Sequence, residues 1–229
     1  MEPHWGAVIV AAGRSERFGG IDKTLADLAG RPVLARSIEA LLSDARIRAL
    51  VVVGSELNLE ACRQLVAEAR RGDLEVAVCV GGATRSQSVR AGLAALPSAV
   101  THVAVHDAAR ALVPPEVVSA VLDAAEASGA AVPVMPVAST LLVAGAHGQV
   151  AGALDRETAR EAQTPQAARR DLLEAAMIQY PGETDESTAL HRAGYPVAMV
   201  PGSRLNIKIT VPDDIRLAAA LVAMNKEIS

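Results

Sequence analysis

Short apolar runs and amphipathic stretches alternate along the first 136 residues of this chain. Ala7–Ala12 carries no charge and is rich in β-branched residues, the pattern of a strand buried on both faces. Val33–Leu42 places Val33, Leu34, Ile38, Leu41 and Leu42 near helical spacing. The same reading predicts strands at Ala49–Val53, Glu75–Val80, His102–His106 and Ala130–Pro136. Helices are expected at Leu57–Arg71, Ser86–Ala95 and Pro115–Ser128, the last announced by Pro-Pro-Glu. This βαβα order predicts an α/β fold with a mainly parallel sheet and helices on both faces.

After Pro136 the pattern changes. Leu141–Val143 and Gln149–Ala153 are short strand-like pieces around Gly145-Ala146-His147-Gly148, which reads as a hairpin projecting from the sheet. A helix follows at Arg169–Ile178, then strands at Val197–Val200 and Ile207–Thr210, then a last helix from Asp213 to Met224. No repeat, low-complexity tract or long linker divides the chain, so one domain over residues 1–229 is expected, with the arm at residues 137–163.

Composition narrows the picture. Hydrophobic residues make up 51% and aromatics only 2%, so the core must be built from Ala, Val, Leu and Ile. A net charge of −4 argues against a broad nucleic-acid footprint, though not against a local cationic pocket. Cys62 and Cys79 have no metal-like spacing and read as reduced, buried and structural. The apolar run near the N-terminus is too short for a signal peptide and follows Glu2, and no stretch reaches membrane-spanning length. A cytoplasmic protein without membrane or nucleic-acid partners is the simplest expectation.

Ligands of open parallel sheets bind beyond the C-terminal ends of the strands. Three polar clusters fall at such ends. The opening loop, Ala11-Ala12-Gly13-Arg14 to Lys23, has small residues that let backbone approach a ligand, and Arg14, Arg17 and Lys23 around it. Backbone N–H groups with Lys and Arg can cradle a triphosphate. The loop is neither the dinucleotide fingerprint, since Ser15 replaces its second glycine, nor a Walker loop, since Phe18 stands five residues after Gly13. An ordinary strand-to-helix turn with exposed basic residues is the alternative. The second cluster is Gly81-Gly82-Ala83-Thr84-Arg85-Ser86-Gln87-Ser88, whose hydroxyls can bond a base or phosphate or simply cap a helix through Thr84 or Ser86. In the third, His106-Asp107-Ala108-Ala109-Arg110, Asp107 is placed to hold Mg²⁺ or to pair with Arg110, and His106 reads as structural. Further on, Thr184-Asp185-Glu186-Ser187 reads as a helix cap with acidic residues in the first turn. Lys208, alternating with Ile207 and Ile209, reads as a solvent-facing lysine of a strand.

Taken in order, these clusters resemble the 2-C-methyl-D-erythritol 4-phosphate cytidylyltransferases of the non-mevalonate isoprenoid pathway. Asp155-Arg156, Thr164-Pro165-Gln166 and Asn206-Ile207-Lys208 complete the set, which runs from residue 7 to about 215. His-Asp-Ala-Ala-Arg and Asn-Ile-Lys in this order are the more specific landmarks. The resemblance implies a nucleotidyltransferase fold and transfer of CMP from CTP to a sugar phosphate, with loss of pyrophosphate. It implies that Arg17 and Lys23 hold the triphosphate, that Lys208 acts from the opposite side, and that Asp107 organises Mg²⁺. Ala11, Ala12, Gly13, Gly81, Gly82, Ala83 and Ser88 would surround the nucleotide, with Arg85 supporting their loop. Thr140, Arg156 and Thr188 would bind the acceptor, and the arm would build a homodimer by reaching into a partner.

The chain departs from the family pattern in two places. Ser139-Thr140-Leu141-Leu142 stands where Asp-Thr-x-Lys is usual, and Arg14-Ser15-Glu16 where a second glycine and a further basic residue are common. The first change touches the acceptor side, so ribitol 5-phosphate is the alternative acceptor, as in close relatives of the family. A nucleotide-binding protein without catalysis is a further alternative. Against it stands the retention of Arg17, Lys23, Asp107 and Lys208 on both sides of a reacting phosphate.

Overall fold

The uncharged first run becomes β1 (Trp5–Val10), an inner strand of an eight-stranded sheet, in a computed structural model that describes residues 3–13, 18 and 22–228, the last four by backbone alone. A two-stranded β2 (Asp27–Leu28) and β3 (Arg31–Pro32) ribbon follows, then α1 (Val33–Leu41), β4 (Ile47–Gly54), α2 (Leu59–Ala69), β5 (Glu75–Val80), α3 (Arg85–Ala95), β6 (His102–Asp107), α4 (Pro115–Ser128) and β7 (Ala130–Pro136). The second half holds β8 (Leu141–Ala144), β9 (Val150–Leu154), β10 (Arg160–Ala162), β11 (Gln166–Arg169), α5 (Arg170–Gln179), α6 (Glu186–Arg192), β12 (Ala198–Pro201) and α7 (Pro212–Ile228).

The sheet order is β10-β7-β11-β6-β1-β4-β5, with β12 paired to β7. β1 is parallel to both β4 and β6, and β4 to β5. β11 runs antiparallel between β6 and β7, and β10 antiparallel to β7. The sheet is therefore mostly parallel, as expected, with antiparallel strands inserted on one side.

Strand alternation explains how a mainly aliphatic core suffices, although Trp5 and Phe18 are buried as well, against the expectation of Ala, Val, Leu and Ile alone. Ala7 and Ile9 face one layer with Leu50, Val52 and Ala104; there α1, α2 and α4 supply Leu34, Ile38, Val66, Val118 and Leu122. Val8 faces the other layer with Val51, Val53, Val103 and Val105, covered by Val89 and Leu93 of α3, Leu173 and Met177 of α5, and Leu190 of α6. Each fully buried Val, Leu or Ile contributes about 1.5–3 kcal/mol. Pro115 opens α4 at its first position, and Gly129 ends it at φ 90°, where a Cβ would be strained.

Several expectations need correction. Ile207–Thr210 is not a strand. Its apolar alternation has another cause: Ile207 and Ile209 pack with Phe18, Leu28, Ala218 and Val222, and the amides go to scattered acceptors and not to a ladder, Ile207 to the Leu205 carbonyl at 2.8 Å, Ile209 to the Ala109 carbonyl at 2.8 Å and Thr210 to Asp214 Oδ2 at 2.7 Å. Four strands went unpredicted: β2 and β3, of two residues each, are too short to show a period, and Arg160–Ala162 and Gln166–Arg169 of β10 and β11 lack alternating apolar residues. Cys62 is buried but Cys79 only partly so, and both are free. Among the described residues no helix is long and apolar enough to cross a membrane.

Candidate active site

The parallel strands β1, β4, β5 and β6 end on one rim, and the segments after them line a cleft of about 490 Å³. Ala11, Ala12 and Gly13 form one wall, and Gly81, Gly82, Ala83 and Ser88 another. Lys23, Arg85, Asp107 and Lys208 bring the charge. Sequence reasoning thus named much of the lining, and residues 81–88, 107 and 208 do converge. Arg17, with Arg14 and Gly19, lies outside the described residues. Thr24, Ser55, Glu56, Leu57 and Ala109 also line the cleft and were not singled out. The end of β4 offered the available signal: Gly54-Ser55 closes an apolar strand next to β1.

Close approach of backbone shapes the second wall. A Cβ on Gly81 would lie 2.6 Å from both the Ala12 Cβ and the Ser88 Oγ, so any larger residue would force the two walls apart. The Gly81 amide donates to the Gly54 carbonyl at 2.8 Å. Thr84, not Ser86, caps α3: its side chain accepts from the Gln87 amide, and Gln87 reciprocates. The Gly82 amide donates to Ser88 Oγ at 3.2 Å, which leaves the rim of the cleft held by backbone and hydroxyl groups.

The charged groups form a line. Asp107 Oδ1 accepts from Arg85 Nε at 3.0 Å, and Oδ2 from Lys208 Nζ at 2.7 Å. Arg85 extends the line inward, donating Nη1 to Glu186 Oε1 at 2.6 Å and Nη2 to Oε2 at 3.0 Å. Burial by itself would raise the Asp107 carboxyl; the Arg85 and Lys208 charges outweigh it and hold the group well below the usual carboxylate range. The alternative of an Asp107–Arg110 ion pair is thereby replaced, since Arg110 Nη1 donates instead to the Asn206 carbonyl at 2.7 Å. Lys208 is likewise not a plain solvent-facing lysine. It is half-exposed, yet anchored to Asp107.

Behind Asp107 lies a neutral, fully buried His106. Its Nε2 lies 3.1 Å from the Arg110 carbonyl, which can only accept, so Nε2 carries the hydrogen. Nδ1 then accepts from Thr164 Oγ1 at 3.0 Å, and that oxygen accepts the Asp107 amide at 3.1 Å. Desolvation lowers the imidazole to about 4. The expectation that His106 is structural agrees with these bonds.

Asp107 and Glu56 are the two carboxylates among the described lining residues, and among the described residues no group of three or more His, Cys, Asp or Glu side chains is placed to hold a metal. Mg²⁺ fits such a site only if substrate phosphates complete its shell, which is its usual habit.

The acceptor candidates sit elsewhere. Thr140 and Arg156 flank the Leu141–Leu154 pair at the base of the β8–β9 hairpin, both exposed and neither lining the cleft. Arg156 reaches Glu157 at 3.5 Å. Thr188 Oγ1 donates to Asp185 Oδ2 at 2.9 Å within the cap of α6, and its oxygen can still accept. The cap expectation holds for Asp185, which accepts from the Thr188 amide at 3.0 Å, but Glu186 turns inward to Arg85.

The family model for IspD, 2-C-methyl-D-erythritol 4-phosphate cytidylyltransferase, matches residues 6–224. The chain belongs to this cytidylyltransferase family. A cytidylyltransferase of that name from Frankia casuarinae is 41% identical over 224 residues, covering 96% of this chain and 82% of the relative. The bifunctional enzyme IspD/IspF of Clavibacter michiganensis subsp. michiganensis is 43% identical over 227 residues; the match covers 96% of this chain but 55% of that longer protein. Among solved structures, the 2-C-methyl-D-erythritol 4-phosphate cytidylyltransferase of Thermus thermophilus superposes with a TM-score of 0.77 at 34% identity, over 97% of this chain and 100% of that one. The chain thus carries a cytidylyltransferase fold, and its family landmarks at residues 11–13, 81–88, 107 and 208 lie around one cleft.

Proposed function

We propose that this protein transfers CMP from CTP to 2-C-methyl-D-erythritol 4-phosphate, releasing pyrophosphate and giving 4-diphosphocytidyl-2-C-methyl-D-erythritol for isoprenoid biosynthesis. The observation that carries the reading is the convergence of Lys23, Lys208 and Asp107 on a rim walled by Ala11–Gly13 and Gly81–Ala83, in a chain of this family. An acceptor phosphate oxygen attacks the α-phosphorus in line. The bond to the bridging oxygen breaks, and pyrophosphate leaves with the electron pair. Such a step asks for positioning and charge stabilisation more than for a covalent nucleophile.

In this reading Arg17 and Lys23 hold the triphosphate and Lys208 meets the α-phosphate from the opposite side. The backbone of Ala11, Ala12, Gly13, Gly81, Gly82 and Ala83, with Ser88, encloses the cytidine. Buried backbone partners reject a wrong base strongly because unmatched polar groups are costly. Asp107 with the phosphate oxygens would hold Mg²⁺, which when bound neutralises part of the triphosphate charge. Lys208 and Arg85 would then share Asp107 with the metal. Thr140 and Arg156, carried by the arm, and Thr188 would bind the acceptor, which calls for a homodimer in which the arm reaches a neighbouring subunit. A cytoplasmic, single-domain enzyme suits this reading.

The test is pyrophosphate release with CTP, Mg²⁺ and the sugar phosphate; silence at millimolar substrate would sink it. The departure at Ser139 and Leu142 favours one second reading, a different polyol phosphate acceptor. Faster turnover with ribitol 5-phosphate at fixed CTP would establish that alternative.

A further inference from the structure

Glu186 is 2% exposed and is not among the cleft-lining residues, yet it sits at the closed end of the charge line that reaches the cleft. Both of its oxygens are taken by Arg85, the geometry of an ionised carboxylate facing a guanidinium fork. A third bond runs from Arg85 Nη1 to the Thr184 carbonyl at 3.2 Å, and Nε is turned to Asp107. Negative, positive, negative and positive groups thus alternate from Glu186 through Arg85 and Asp107 to Lys208, and they sum to zero. The three links join the start of α6, the start of α3, the end of β6 and the segment after β12, which no local sequence contact connects.

We propose that Glu186 is a positioning residue for the transfer reaction: by fixing both Nη atoms of Arg85 it leaves Asp107 one oxygen for Lys208, and so places Lys208 at the cleft. This inference rests on the cytidylyltransferase reading. Without the Glu186 charge, Asp107 is the remaining carboxylate bound to Arg85, and a guanidinium prefers to take both oxygens of a carboxylate. Arg85 then competes with Lys208 for Asp107, Lys208 loses its seat, and the cleft gains one net positive charge. A polyanionic nucleotide should bind such a cleft no more weakly than before, while the reaction loses a placed cation. A purely structural role would lower stability without separating these two effects.

The experiment compares wild type, Glu186→Gln and Glu186→Asp in the full chain, reading kcat for pyrophosphate release and, separately, the dissociation constant of CTP without acceptor. The expected result for Glu186→Gln is a kcat lower by about 10- to 100-fold, the range for a misplaced electrostatic group, with CTP binding unchanged or tighter. Glu186→Asp, which keeps the charge, should recover part of the lost kcat. A folded Glu186→Gln with wild-type kcat would overturn the inference, as would parallel losses in kcat and CTP affinity. If Glu186→Gln shows no cooperative melt, Glu186→Asp decides: reduced kcat with unchanged CTP affinity supports the inference, and wild-type kcat overturns it. Absence of turnover in the wild type strikes the proposed function itself, which the wild-type control reads independently.

Discussion

At the cleft, Glu186, Arg85, Asp107 and Lys208 satisfy one another within a single chain. The β8–β9 hairpin does the reverse. It is a two-stranded sheet of its own, with Leu142 58%, Val143 42%, Val150 65% and Leu154 57% exposed. Buried charge must be paired where it sits, because desolvation is expensive and a missing partner leaves an uncompensated ion. Exposed apolar surface carries no such urgency, and these four side chains divide between the two faces of the hairpin, Leu142 and Val150 on one and Val143 and Leu154 on the other. The contrast teaches that this charge line closes on itself within one chain, while the arm leaves apolar side chains in contact with solvent.

The largest test of this contrast lies in the cleft. Lys208→Ala should lower kcat by about 10²–10³-fold, the scale for removing a preorganised electrostatic group, with a smaller loss of CTP affinity. Steady-state pyrophosphate release checks it; a loss under tenfold would mean that Lys208 serves mainly to neutralise Asp107.

Next comes the buried support beneath Asp107. His106 is held neutral with its imidazole lowered to about 4 from 6.5. The unfolded chain therefore takes up this proton first as pH falls. Stability is complete above pH 6.5 and is lost between there and pH 4, by about 3 kcal/mol from this residue. Asp107, whose pKa is depressed, adds a loss only at lower pH, below the ordinary carboxylate range. Urea unfolding at pH 7, 5.5 and 4 should show this slope in wild type and a flatter one in His106→Gln; equal slopes would contradict the account.

The smallest effect belongs to the arm. Leu142→Ser with Val150→Ser should leave the melting transition of the domain and the KM for CTP near wild type. The KM for the sugar phosphate should rise about tenfold, equivalent to about 1.4 kcal/mol, with a shift toward monomer in sedimentation. If both stay unchanged, the arm's apolar surface plays no part in assembly or in the acceptor site.

Periodicity made α4 and β7 legible to the residue, since Pro115 and Gly129 punctuate a strongly apolar pattern. It misled at Ile207–Thr210, where alternation came from packing against α7 and the β2–β3 ribbon and not from a ladder. It missed β10 and β11, whose short sequences owe their strand geometry to the neighbours they pair with. In the site, Gly81, Asp107 and Lys208 were legible as motifs. The inward turn of Glu186 was not, because a carboxylate in the first turn of a helix reads the same whether it faces water or an arginine 101 residues away.

The linear sequence by itself determined the strand–helix alternation, an aliphatic core and the clusters placed at strand ends, because those follow from side-chain period, composition and chain order. Tertiary structure alone decided which charges pair. Coulombic partners are chosen by distance and desolvation, and the segments carrying Arg85, Asp107, Glu186 and Lys208 meet only after the sheet has been assembled.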